Sequence, residues 1–223
     1  MNGRSNLTRR FGVGAALAAA IAAIGYDIPQ ILQVIGVLSD PWDRILIFAP
    51  SLALASAFVL TIAAAHAATP QELRAWSLSA LALAILYAAD VSLVYVVQLG
   101  VVIPHDLRGE GHETAFAACC APGMPTTAID LLGYTYMSAS SLLLAPAFPG
   151  NGVRRWLRYA LIVNGLFAPM ILGQLAWPWL VYAVAPWIVS FPASMLLLAM
   201  VLRLPPQHDQ LTRPHSLPAN SPG

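Results

Sequence analysis

Three carboxylates stand inside long apolar stretches of this sequence, where an ionisable side chain is costly. Asp27, Asp90 and Asp130 are surrounded mainly by alanine, leucine, isoleucine and valine, and no arginine lies close to any of them along the chain. An ionised group at membrane depth costs about 2.5–3.5 kcal/mol on insertion scales, so residues of this kind mark binding, proton-transfer or ion-transfer sites. The three carboxylates are therefore the first candidates for chemistry.

Polar neighbours recur at helical spacing around each carboxylate. Tyr134 follows Asp130 by four residues, and Tyr87 and Gln98 flank Asp90 three residues before and eight residues after it. Residues at such intervals share one face of a helix. The predicted ligand-binding or proton-coupling residues are Asp27, Gln30, Gln33, Tyr87, Asp90, Gln98, Asp130 and Tyr134.

The composition defines the elements that must position these side chains. Hydrophobic residues make up 58% of the 223 positions and charged residues 9%, against roughly 45–50% and about 25% in soluble domains. This balance excludes a soluble domain and a disordered chain. With a net charge of +1 and no arginine stripe, it also excludes a nucleic-acid-binding protein. All 11 basic residues are arginine, which excludes a lysine Schiff base, pyridoxal phosphate chemistry and a Walker A lysine.

Apolar runs long enough to cross a bilayer predict an all-α, polytopic membrane protein. A crossing needs about 20 mainly apolar residues, and turn or charge signals divide residues 1–204 into six such runs within one domain. The predicted spans are 11–38, 45–68, 75–103, 127–148, 156–175 and 177–204. The proline-rich polar segment 205–223 is expected to be a disordered cytoplasmic tail.

The distribution of arginine predicts the orientation of these spans. With the N-terminus inside, only Arg44 and Arg108 fall on the outer side, and the other nine arginines face the cytoplasm. Such a bias is typical of the cytoplasmic side of bacterial membrane proteins. We therefore expect an inner-membrane protein with both termini cytoplasmic, and with the longest loop, around Cys119 and Cys120, outside.

The adjacent cysteines are the only two in the chain, and alone they form no zinc site. Because neighbouring cysteines can close only a small ring, a pair of thiols is the simplest expectation. An intermolecular bridge and capture of a soft metal are the alternatives. His105, Asp106, His112 and the glutamates of the same loop show no specific ligand spacing, so neither a metal nor a cofactor is predicted.

These observations leave three functions open. The leading hypothesis is a protein that binds a small solute or cation in an outward-opening, carboxylate-lined cavity, with proton-coupled transport as its extension. The second is an intramembrane enzyme that uses Asp27 or Asp90 as a general acid on a lipid or isoprenoid, with Tyr87, Tyr95, Trp187 and Phe191 as aromatic walls. The third is a non-catalytic subunit whose polar stripes are interfaces. The predicted partners are the lipid bilayer and, in the leading hypothesis, a small solute or cation. The oligomeric state stays open, and enzymatic activity is the less favoured interpretation.

Overall fold

The computed structural model describes the backbone of residues 2–204 and the side chains from Leu7 onwards, and every regular element in that part of the chain is helical. This confirms the predicted all-α class for these residues, whereas the predicted disordered tail, 205–223, lies outside them. The main helices are α1 (Asn2–Val34), α2 (Trp42–Ala67), α3 (Arg74–Val97), α4 (Pro125–Leu144), α5 (Val153–Leu166) and α6 (Trp187–Arg203).

Short helical turns extend or connect several of these helices. A π-helical turn (Gln98–Val102) and a further turn (Ile103–Leu107) prolong α3. The chain after α5 continues as Ala168–Gly173, so the predicted fifth span is broken into two helices. The predicted sixth span consists of Pro178–Val184 and α6, which meet at an angle of 43°. Pro186 lies at that bend, where its missing N–H and fixed φ favour an interruption of the helix.

Four helical segments are long and apolar enough to cross a membrane, and a fifth is reached if the bent pair counts as one span. The four are Leu7–Val34, Trp42–Ala67, Gln71–Leu107 and Val153–Gly173. Helix α4 has 20 residues but is not among them. Its threonines, tyrosines, serines and Asp130 lower its mean hydropathy below that of these four segments. The chain therefore has four or five candidate spans by length and composition, and the sixth crossing stays a prediction.

Contacts between named side chains establish how the helices run. Near the start of α1, the Gly12 position lies against Ala64 of α2 and Leu202 of α6. Further along α1, Tyr26 packs against Trp187 at the start of α6. Helix α1 is therefore antiparallel to α6, and the start of α1 lies beside the end of α6. We call this the termini end of the bundle, and the opposite end, which carries residues 98–124, the loop end.

The outer surface of the bundle is apolar along its length and ringed by tryptophan. Ile21, Leu93 and Val189 are each about two-thirds or more exposed. Five of the six tryptophans are also exposed: Trp42, Trp177 and Trp179 near the loop end, and Trp76 and Trp156 near the termini end. Tryptophan is enriched where a membrane protein meets the two lipid–water interfaces. This surface suits a bilayer, and Trp187 alone among the tryptophans is buried in the core.

Candidate functional site

Two of the three predicted carboxylates are buried in the bundle. Asp27 of α1 is 4% exposed and Asp130 of α4 is 9% exposed. Both carboxylate oxygens of Asp27 and the Oδ1 of Asp130 have no hydrogen-bond partner. Buried polar atoms in proteins are nearly always paired, so several unpaired acceptors in one region mark a place built for something other than packing.

A tyrosine from α1 relates these two carboxylates to each other. The Tyr26 hydroxyl lies within electrostatic reach of both Asp27 and Asp130. The Tyr95 hydroxyl also interacts with the Asp130 carboxylate, and it is hydrogen-bonded to the Tyr134 hydroxyl at 3.0 Å. We call Asp27, Asp130, Tyr26, Tyr95 and Tyr134 the carboxylate site. It is assembled from α1, α3 and α4.

A closed ring of aromatic side chains packs beside this site. Trp187 contacts Tyr134, Tyr134 contacts Tyr87, Tyr87 contacts Phe58, Phe58 contacts Phe191, and Phe191 stacks on Trp187, with centroid distances from 4.8 to 5.7 Å. We call these five residues the aromatic cluster. The Tyr87 hydroxyl and the Trp187 indole N–H are buried without acceptors, so the cluster adds unpaired donors to the unpaired acceptors of the carboxylate site.

Asp90, the third predicted carboxylate, occupies a different position. It is half-buried on α3, and its Oδ2 is buried without a partner. A Cβ placed on Gly133 of α4 would lie 3.2 Å from the Asp90 Cβ, so the backbone of α4 passes directly beside it. Among the described residues, Asp90 has no hydrogen bond or ion pair with a member of the carboxylate site, and it is therefore not counted in that site.

Gln30 and Gln33, which were predicted to belong to the same site as Asp27, form hydrogen bonds that lead to Asp43 instead. Gln30 donates to Gln33 at 3.0 Å, and Gln33 donates to Asp43 at the start of α2 at 2.9 Å. Asp43 also accepts a hydrogen bond from the Arg44 backbone N–H. This chain of hydrogen bonds joins the end of α1 to the start of α2, and it makes Gln30 and Gln33 elements of the helix connection.

Gln98 is fully buried and holds the loop that carries the two cysteines against α3. Its side-chain amide donates to the Ala117 carbonyl at 2.7 Å, and its carbonyl oxygen accepts from the Cys119 backbone N–H at 3.0 Å. In this loop Cys119 and Cys120 are joined by a disulfide, so the expected pair of thiols is oxidised in this structure. Gln98 thus positions the cysteines above the start of α4.

Ion pairs in the described residues lie at the loop end and do not involve the carboxylate site. Arg44 bridges Asp40 and Asp106, and Arg108 pairs with Glu110 at 2.8 Å. The hydrogen bond from Arg108 lowers the pKa of the exposed Glu110. In the part of the chain that the structure describes, Asp27, Asp90 and Asp130 have no arginine or histidine partner within salt-bridge distance.

Tyr26 was not among the predicted site residues, although it stands beside Asp27 in the chain. The proximity of Tyr26 to Asp130 depends on how α1 packs near α4, and the spacing of residues within one helix cannot reveal it. Asn164 of α5 is a further fully buried polar residue, and its contacts define its role. The Asn164 amide donates to Ser194 at 2.8 Å, and its oxygen accepts from Ser190 at 2.6 Å. Asn164 is therefore an interhelical clamp between α5 and α6.

The arrangement can neutralise a positive charge in a low-dielectric interior. Two carboxylates with free oxygens, together with neighbouring tyrosine hydroxyls, offer oxygen ligands that suit a cation, a proton or a hydrogen-bonding solute. The chain matches no family model, no curated protein and no solved structure. The inference of function therefore rests on the residues of this site.

Proposed function

We propose that the protein binds a small cation or cationic solute at the carboxylate site and carries it across the inner membrane in exchange for protons. The observation that carries this proposal is the burial of Asp27 and Asp130 with unpaired oxygens, and the electrostatic interaction of Tyr26 with both of them. Burying a carboxylate without a partner is costly. A proton or a cation bound in the site offsets this free-energy cost. Because the two compete for the same carboxylates, the movement of one is coupled to the movement of the other.

The proposal includes six membrane crossings, with α4 as the crossing that lies inside the bundle. Two contacts support this role. The Ser140 hydroxyl of α4 donates to the Ala80 carbonyl of α3 at 2.7 Å, and the Tyr134 hydroxyl meets that of Tyr95. Helices α3 and α4 are thus antiparallel over most of their lengths. A helix covered by its neighbours tolerates polar residues that a lipid-facing helix does not, because its polar groups face protein instead of hydrocarbon.

The proposed orientation places the termini end in the cytoplasm. A cavity of about 280 Å³ at this end is lined by Arg9, Arg10, Val13 and Arg203, and the arginines at the starts of α3 and α5 lie at the same end. Anionic lipids and the positive-inside bias favour such a cluster on the cytoplasmic side. The carboxylate site then opens towards the exterior through the loop end.

The aromatic cluster favours a cation over the lipid substrate of the enzyme hypothesis. Tyr87, Trp187 and Phe191 were expected to wall a pocket, yet they pack on one another and on Phe58 at van der Waals distances. Each ring is therefore covered by a neighbouring ring, and a prenyl chain finds no free aromatic face to pack against. Turnover of a lipid in detergent without any ion gradient would instead support the enzyme, and co-purification of a partner would support a subunit role.

The test uses proteoliposomes with a pH-sensitive dye in the lumen. Chlorides of Na⁺, K⁺, Mg²⁺ and Cd²⁺ are added outside one at a time, and we expect at least one of them to change the luminal pH. Asp27→Asn and Asp130→Asn should abolish the response. The matched control is Glu113→Gln, which removes an exposed carboxylate of the outer loop and should leave the response unchanged. A response that persists in Asp27→Asn, or none with any of the four cations, would contradict the proposal.

A further inference from the structure

The cysteine pair and Asp130 form a second cluster at the loop end of the bundle. The two Sγ atoms and a carboxylate oxygen of Asp130 all lie within 4.8 Å of one another. The sequence predicts no metal site because the cysteines alone form none, and Asp130 follows Cys120 by ten residues in a separate helix. In three dimensions the outer loop folds back over α4 and brings these side chains together.

Hydrogen bonds on both sides of the cysteines hold this loop in place. Gln98 binds the loop from α3 through Ala117 and Cys119. From the first turn of α4, the Thr126 hydroxyl donates to the Ala118 carbonyl at 2.6 Å and Thr127 donates to Ala121 at 2.8 Å. The segment is therefore anchored before and after the cysteines, and its position over Asp130 is built into the fold.

Exposure decreases in order through this cluster. Cys120 is exposed, Cys119 is half-buried, and Asp130 is 9% exposed. Asp130 is also a member of the carboxylate site, and its Oδ1 has no hydrogen-bond partner. The cluster thus extends from solvent at the loop end to the buried site, so that a ligand held by the cysteines is already beside the first buried carboxylate.

We propose that reduced Cys119 and Cys120, together with Asp130, capture a thiophilic divalent cation at the entrance of the carboxylate site. This inference rests on the proposed function and names its cation class. Thiolates select soft cations such as Cd²⁺ and Hg²⁺ over Na⁺, K⁺ or Mg²⁺. Three protein ligands leave a coordination position open, which suits a site that receives and releases its metal better than one that keeps it.

The disulfide makes this capture dependent on redox state. In the oxidised form each sulfur is bonded to the other, and neither is a thiolate ligand. A dithiol reductant donates two electrons and two protons: the S–S bond of Cys119–Cys120 breaks, two thiols form, and the reductant becomes a disulfide. Binding of M²⁺ then displaces two protons from these thiols, so metal uptake is accompanied by proton release.

The experiment uses the full-length protein in detergent, reduced with a water-soluble phosphine that is removed before metal is added. The phosphine takes the oxygen of water and becomes its oxide while the disulfide gains two electrons and two protons. CdCl₂ is titrated into oxidised and reduced samples. Bound Cd²⁺ is measured by elemental mass spectrometry, and sulfur coordination is followed by the thiolate-to-metal absorption band in the ultraviolet.

We expect about one Cd²⁺ per reduced chain and no stoichiometric binding to the oxidised chain. Cys119→Ser should lose the absorption band, and Asp130→Asn should weaken binding at least about tenfold. Glu113→Gln, an exposed carboxylate in the same loop, is the matched control and should bind as the wild type does. Equal binding by the oxidised chain, no binding by the reduced chain, or full affinity in Asp130→Asn would each overturn the proposal.

A second measurement keeps the test independent of whether Asp130→Asn folds. In the reduced wild-type chain, Cd²⁺ should protect both cysteines from alkylation by iodoacetamide, as read by peptide mass spectrometry, whereas Mg²⁺ should not. Undiminished alkylation in Cd²⁺ would overturn the proposal. If Cd²⁺ fails to bind while Na⁺ or K⁺ still gives a luminal pH response that needs Asp27, the cation class is wrong and the proposed function stands. If Cd²⁺ binds but no cation gives a response, the metal site stands and transport does not.

Discussion

The same substitution, glycine to alanine, should have opposite effects at two positions of this bundle. Gly165 of α5 faces Leu142 of α4: a Cβ added to it would overlap the Leu142 Cβ and lie only 3.0 Å from the Leu142 Cα. Gly14 of α1 is exposed, and a Cβ added there would meet nothing within 4 Å. Close approach through small residues is how helices pack in membranes, since lipid supplies no hydrophobic force between them.

The change in the free energy of unfolding for each substitution depends on which atoms must move to make room for the new methyl group. Leu142 opposes the new methyl with its Cβ and its backbone, which no rotamer change can shift, so α4 and α5 must separate. Overpacking of this kind costs about 1–3 kcal/mol, and we expect Gly165→Ala to lie near the upper value. At roughly 2–4 °C per kcal/mol for a chain of this size, the melting temperature should fall by about 6–12 °C. Gly14→Ala should instead stabilise by about 0.5–1 kcal/mol, because alanine is the better helix former.

Differential scanning fluorimetry of both variants in the same detergent measures these effects. Gly12→Ala adds an intermediate case, because its Cβ would meet the Ala64 Cβ at 2.7 Å but no backbone atom of α2 within 4 Å. The expected order of melting temperatures is Gly14→Ala, wild type, Gly12→Ala, Gly165→Ala. If Gly165→Ala were as stable as the wild type, the close packing of α4 against α5 would be refuted, and with it the argument that α4 is an internal crossing.

Two further predictions concern polar side chains that join separate elements. Asn164→Ala removes the donor that binds the Ser194 hydroxyl. We expect the free energy of unfolding to fall by about 1–2 kcal/mol in a chemical denaturation series, as for an interhelical hydrogen bond in a membrane protein. No change would mean that the α5–α6 clamp does not form. Gln98→Leu should release the loop that carries the cysteines, so that a phosphine reduces the Cys119–Cys120 disulfide several-fold faster. The rate at which thiols appear measures this effect. An unchanged rate would show that Gln98 does not hold the cysteines.

The helical segments could be predicted from the sequence because each depends on local signals. Apolar runs and the turn signals between them predict where helices begin: the predicted starts at 45, 75, 127 and 156 each lie within about three residues of an observed helix start. Helix α1 begins at Asn2, so the polar residues that precede the predicted start at 11 are helical as well. The bend at Pro186 and the break after Leu166, which is followed by Pro169, both have a local proline signal, but the apolar runs continue through them and do not reveal them.

The candidate site was predictable only where its members share a helix. Asp130 and Tyr134 lie on one face of α4, as their spacing of four residues indicates, but which residue of another helix meets them depends on packing. Gln33 lies near the face of Asp27 and still bonds to Asp43, because the end of α1 meets the start of α2. The contact of Cys119 with Asp130 depends on an irregular loop, whose path no periodicity describes.

The most direct test of a shared site for Asp27 and Asp130 is a double-mutant cycle. The free energy of unfolding is measured by denaturant titration in micelles for Asp27→Asn, Asp130→Asn and the double variant. The same cycle is run for Asp130→Asn with Asp43→Asn, a buried carboxylate engaged with Gln33 near the loop end. Side chains in one polar network couple by about 0.5–3 kcal/mol, whereas separate ones add within about 0.3–0.5 kcal/mol. We predict coupling for the first pair and additivity for the second; additivity in both would mean that the two carboxylates do not form one site.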